Sequence, residues 1–228
     1  MPDGVLSIGK RVTALPIIHG SGDCSVEVRR IMLTQRFDCV AVPLPPSFQA
    51  TVEQAIRWLP TPTLVGQAET PRFPTDWSPE TEQAGDAEQD DDEGWEADDR
   101  RRMSYVPVDP CQPVIASLRI ALGERIPRRF IDLETSRFLP YSAVLPDPYA
   151  LKRVSLAKFA AAMLPHLERL PEGQPQARIA HMAQRLRELE TRFESILLVC
   201  SVLDWPWIRE AYMQPQACVI EDEEVASP

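Results

Sequence analysis

The chain has 228 residues, of which 44% are hydrophobic and 25% charged, and a formal net charge of −10. That length suits one sizeable α/β domain with a small addition and leaves two full domains cramped. No run of 18 apolar residues occurs and the opening MPDGVLSIGKRV lacks the apolar core of a secretory leader, so neither a membrane span nor secretion is indicated and the cytoplasm is the expected compartment.

The charge is localised. Residues 80–99 hold eleven acidic side chains and no lysine or arginine, and residues 221–224 add four more. Without those fifteen, 19 acidic residues face 24 basic ones, so the body of the chain is mildly basic. It carries no dense basic stripe, and nucleic acid is not an expected partner. Cys24, Cys39, Cys111, Cys200 and Cys218 stand far apart with no CxxC pair, which reads as buried thiols in a reducing compartment.

Residues 1–11 read as an irregular lead-in. From Thr13 to Pro45 an apolar run (Ala14 to Ile18), a polar turn, a helical pattern and a second apolar run (Cys39 to Leu44) follow one another. Neither run alternates polar with apolar, which suits strands covered on both faces. Val28, Ile31 and Met32 fall at helical spacing between them, and Ser25 or Asp23 is placed to cap the helix. Pro45 and Pro46 then stop the second strand, Ser47 to Leu59 continues as a helix, and Thr61 to Gln67 suggests a third strand at a sheet edge.

Residues 70–102 pass from prolines into an acidic tract, too poor in apolar surface to offset the entropy of ordering it; a disordered insertion is expected. Trp95 is the feature of that tract suited to anchoring a protein partner. Met103 to Val108 is a strand, Gln112 to Ile126 a helix, and Phe130 to Leu133 a short strand, so strand, helix and strand recur. That repetition argues for a mainly parallel sheet of about five to six strands with helices on both faces, within a single α/β domain over residues 12–214.

Residues 134–152 carry three prolines and read as a long cover or lid. A helical hairpin is expected over residues 153–193: Ser155 to Leu170, cut short or kinked at Pro165, then Arg178 to Phe193, whose Ile179, Met182, Leu186, Leu189 and Phe193 form a packing seam. The second of these helices is also a candidate partner surface. Ser195 to Leu203 is the most apolar strand and belongs near the sheet centre. A helix starts at Trp205, and residues 215–228 are expected to be a disordered acidic tail.

Parallel strands would bring His19, Pro43, Asp109, Asp132, Glu134 and Asp204 to one edge, where open α/β sheets usually bind ligands. Histidine with carboxylates at strand ends can hold a divalent metal or act as a general base with its orienting partner. His19 serves equally well as a cap or core residue, and Asp132 and Asp204 as caps of the next turn. Arg137 is placed either to hold an anionic substrate group or to pair with Glu134. His166 and His181 read as structural. Gly20-Ser21-Gly22 reads as a tight turn, being neither a full GxGxxG nor a phosphate loop, and Cys200 sits where a thiolate is disfavoured.

Three stretches, IIHGSGDCSVEVRRIM with FDCVAVPLPP, PVIASLRIALGERIPRRFIDLE, and SILLVCSVLDWPWIREAYM, together resemble bacterial proteins related to the TraB, Tiki and erythromycin esterase group. The resemblance implies an α/β domain with its site at the strand ends and, in some relatives, metal-dependent hydrolysis. It sets His19 on the group's first histidine and Asp132 on its Ile-Asp motif. Pro43 stands where an acidic residue is expected, and Ser201-Val202-Leu203-Asp204 where the group has Gly-x-x-His. Two readings follow. One is a hydrolase in which His19, Asp132 and Asp204 bind Mn, Zn or Co and Arg137 places the substrate, with an open cavity at the strand ends. The other, favoured by the two substitutions, is a non-catalytic interaction or regulatory module with no cofactor and a filled cleft, meeting a protein partner through Trp95 or the helix at residues 178–193.

Overall fold

The structure is a computed structural model that describes residues 6–69, 102–141, 143–214 and 221–228. Its main sheet has five strands: β1 (Ser7–Ile8), β2 (Val12–Ile17), β3 (Cys39–Val42), β6 (Arg128–Phe130) and β7 (Ile196–Ser201), in the order β1-β2-β7-β3-β6. β1 is antiparallel to β2, and the other four strands run parallel. The most apolar strand is central, as expected, and all six of its residues are buried.

Successive side chains go to opposite faces, and both faces are covered. Leu15, Ile17, Val40, Val42, Leu197 and Val199 pack into one apolar cluster. Their neighbours Ala14, Cys39, Ala41, Ile196, Leu198 and Cys200 pack into the other. This is why the strands read as continuous apolar runs. Full burial of each large aliphatic side chain contributes about 1.5–3 kcal/mol. Pro16 is tolerated inside β2 because the even residues turn their amides toward β1: Ala14 N–H donates to Leu6 O, and the β1 ladder reaches only Thr13. At Pro16 no ladder partner is lost.

The first face is covered by α1 (Gly22–Thr34), α2 (Gln49–Ala55) and α3 (Pro113–Gly123), with most of the buried side chains of α4 (Leu156–Met163). α5 (Gln174–Leu189) and α6 (Trp205–Met213) cover the second. α1 is capped by Ser21, whose Oγ accepts from Cys24 N at 3.2 Å, and not by Ser25 or Asp23. α4 ends at Met163, just before Pro165, as its missing donor requires. The expected helix pair of residues 153–193 is present, but its apolar stripes form no common seam: Leu156, Phe159 and Met163 enter the first cluster, whereas Ile179, Met182, Leu186 and Leu189 enter the second. The apolar face of α5 is therefore spent inside the molecule, and only its polar face is left for a partner.

The strands on either side of the acidic insertion depart from expectation. β4 (Thr63–Ala68) and β5 (Met103–Val108) do not join the main sheet; they pair antiparallel as a separate two-stranded ribbon, from Thr63 opposite Val108 to Ala68 opposite Met103. The second strand-helix-strand pattern is thus not a crossover within one sheet. Val65 and Val108 anchor the ribbon in the first apolar cluster. Trp95 and residues 70–101 of the expected insertion lie outside the described residues, as do residues 215–220 of the expected tail. Residues 221–228 lie along the loop that follows β6, with Glu223 N–H donating to Glu134 O at 3.1 Å.

Candidate functional site

Because β2, β3, β6 and β7 run the same way, their carboxyl ends share one rim. The registers place Ile17 beside Ser201 and Val42 beside Phe130, so the chain leaves the sheet at His19, Pro43, Asp132 and Asp204 on the same side. The ribbon and the first turn of α3 stand over part of this rim. Between them lies a cavity of about 570 Å³, in the size range of small-molecule sites. Its apolar wall includes Pro43, Leu44, Phe48, Val114, Ile115 and Leu133, with Tyr105 and Val106 from the ribbon. His19, Gln67, Glu69, Gln112, Asp132 and Arg178 are among the residues that supply polar groups.

Asp132 is buried, and its two carboxylate oxygens face the guanidinium of Arg178: Nε donates to Oδ1 at 3.0 Å and to Oδ2 at 3.1 Å, and Nη2 makes a further, short hydrogen bond to Oδ2. Oδ1 also accepts from Leu133 N–H at 2.9 Å. The fork geometry uses both carboxylate oxygens at once. Phe138, from the loop after β6, stacks on the same guanidinium with its ring centre 4.8 Å away. The loop and α5 are thereby held to the rim by one ion pair.

His19 reaches solvent at the cavity mouth, yet its imidazole is crowded by protein. That desolvation, reinforced by the positive charge of Arg178, lowers its pKa, so the ring is neutral at pH 7. Its neighbour Gly20 has φ +72°, the left-handed conformation that glycine adopts freely, and donates its N–H to Gln112 Oε1 at 2.9 Å. The turn after β2 is thus tied to the start of α3. Asp204 precedes α6, and its carboxyl is pushed up to about 6: desolvation raises it most, Arg178 pulls it down, and the like charge of Asp132 raises it.

Of the expected site residues, His19, Asp132 and Asp204 stand at the rim, and His19 and Asp132 line the cavity. Arg137 is not among the lining residues; its backbone carbonyl accepts from Gln174 Nε2 at 2.7 Å. The cation at the site is Arg178, from a helix read in the sequence as a partner surface. Glu134 turns away to accept from Ser47 N–H and, at 2.9 Å, from Ser47 Oγ, and Asp109 accepts from Cys111 N–H at 2.7 Å in a local turn. Cys200 is fully buried and its thiol is pushed well above the usual value, as the apolar strand implied.

The residues present do not fit the expected divalent ion as arranged. Asp132 is committed to Arg178, whose positive charge disfavours a second cation beside it. Among the described residues no group of three or more histidine, cysteine, aspartate and glutamate side chains is placed to hold a metal. No helix among them is long and apolar enough to cross a membrane. No family model, curated protein or solved structure matches the chain.

Proposed function

We propose that this chain is a non-catalytic binding module that takes the apolar part of a small-molecule ligand in the strand-end cavity. One observation carries the reading: the Asp132 carboxylate at the strand ends is neutralised by the Arg178 fork, the Glu69 carboxylate is held by Ser104 Oγ at 2.7 Å, and the remaining walls around about 570 Å³ are mostly apolar. Such a site rewards desolvation of a ligand and offers no uncommitted cation to polarise a bond. His19 and Gln112 at the wall then select the ligand's polar end by hydrogen bonding. On this reading the chain descends from the TraB, Tiki and erythromycin esterase group and has lost its chemistry, with Pro43 standing where a carboxylate would be. A reducing, cytoplasmic setting belongs to the same proposal and is supported by the free thiols of Cys24, Cys39, Cys111 and Cys200.

The alternative, metal-dependent hydrolysis, keeps two observations in its favour: His19, Asp132 and Asp204 end strands on the same rim, and the cleft there is open, as that reading expects, and not filled, as the non-catalytic reading expected. A thermal-shift screen with apolar and aromatic fragments separates the two. Hits that raise the melting temperature of the wild type and lose their effect in Thr135→Trp, which narrows the cavity from a partly exposed wall position, support the binding module. Stoichiometric Mn, Zn or Co in the purified chain that disappears in His19→Ala overturns it in favour of the hydrolase.

A further inference from the structure

We propose that the loop after β6 forms one side of a docking groove for a short acidic peptide, and that residues 221–226 of this chain occupy it in cis. The groove adjoins the cavity and shares Gln67 with it, but the proposal rests on the loop amides and the acidic segment and not on what the cavity binds. Two alternate amides of the loop donate to carboxylates: Glu134 N–H to Asp222 Oδ1 at 3.0 Å, and Ser136 N–H to Glu223 Oε2 at 2.7 Å. Between them the backbones join, Glu223 N–H donating to Glu134 O at 3.1 Å. On the far side, Gln67 of β4 donates its Nε2 to Ala226 O at 2.5 Å. The segment therefore spans from the main sheet to the ribbon.

A second group lies near the Asp222 carboxylate. His181 is buried on α5, and its Nε2 has no hydrogen-bond partner, yet it lies 3.8 Å from Asp222 Oδ1. A buried polar atom without a partner is rare in folded proteins, and one near a carboxylate supplies a ready donor for it. Backbone amides at positions i and i+2 read carboxylate position and not side-chain shape, so the groove selects an adjacent Asp-Glu pair in extended chain. The acidic segment is held by such contacts although most of its residues remain exposed. A peptide of the same chemistry presented in trans would have to displace it.

The test uses the full chain with Asp222→Asn and Glu223→Gln together, and a fluorescein-labelled peptide with the sequence of residues 221–228. Fluorescence anisotropy is expected to show the peptide binding this variant at least ten-fold more tightly than the wild type, whose groove is filled. The same peptide carrying the Asn and Gln changes is expected to lose that binding. Hydrogen exchange supplies the second readout: the amides of Glu134 and Ser136 should exchange at least ten-fold faster in the variant. Equal binding to both chains, binding to neither, or unchanged exchange at Glu134 and Ser136 overturns the proposal.

Discussion

Asp204→Asn should stabilise the protein at neutral and alkaline pH and leave it unchanged near pH 4. In the folded state the Asp204 carboxyl holds its proton up to about 6, against an ordinary value of 3.8. The folded protein therefore binds more protons than the unfolded chain between those values, and stability falls as the pH rises through that window. At ~1.4 kcal/mol for each tenfold change in proton affinity, the full gap corresponds to ~3 kcal/mol. Asp204 is partly exposed, and screening reduces the expected gain to about 2 kcal/mol. Asparagine has nearly the same shape and stays neutral. It removes the cost above pH 6 and changes nothing where aspartate is already protonated. For a domain of this size about 2 kcal/mol is a rise in melting temperature of roughly 4–8 °C. Thermal melts of both proteins at half-unit steps from pH 4 to pH 8 measure it. A pH-independent difference, or a less stable variant at pH 8, would refute the reasoning, because Asp204 would then be a favourable partner of Arg178 and not a desolvated burden.

Arg178→Met should destabilise the fold by about 3–5 kcal/mol by leaving the Asp132 carboxylate buried without its partner. The double variant Arg178→Met with Asp132→Asn should recover part of that loss in a chemical-denaturation cycle; purely additive effects would show that the fork carries no coupling. Among the described cysteines, Cys111 is exposed, whereas Cys24, Cys39 and Cys200 are buried. A maleimide followed by peptide mapping should label Cys111 in native protein, and Cys39 and Cys200, whose thiols burial pushes upward, only after unfolding.

The amino-acid sequence determined the elements and the rim. Uninterrupted apolar runs such as Ser195 to Leu203 suit strands covered on both faces, and such strands favour a parallel sheet, whose ends here gather His19, Asp132 and Asp204. Local signals were sufficient there because burial is written into each strand's own composition. The partners of those residues were decided only by tertiary structure. Arg178 looks like any polar residue on a helix, 46 positions from Asp132, and nothing in its neighbourhood announces that α5 will lay it across the strand ends. The ribbon was hidden for the same reason: Thr63–Ala68 and Met103–Val108 carry strand composition, but which sheet a strand joins depends on long-range pairing that composition does not encode. The acidic end of the chain shows the limit most plainly. Residues 221–224 have the composition of a solvated tail, and they are held against the loop after β6 because that loop, 87 to 88 positions away in the chain, offers their carboxylates the amides of Glu134 and Ser136.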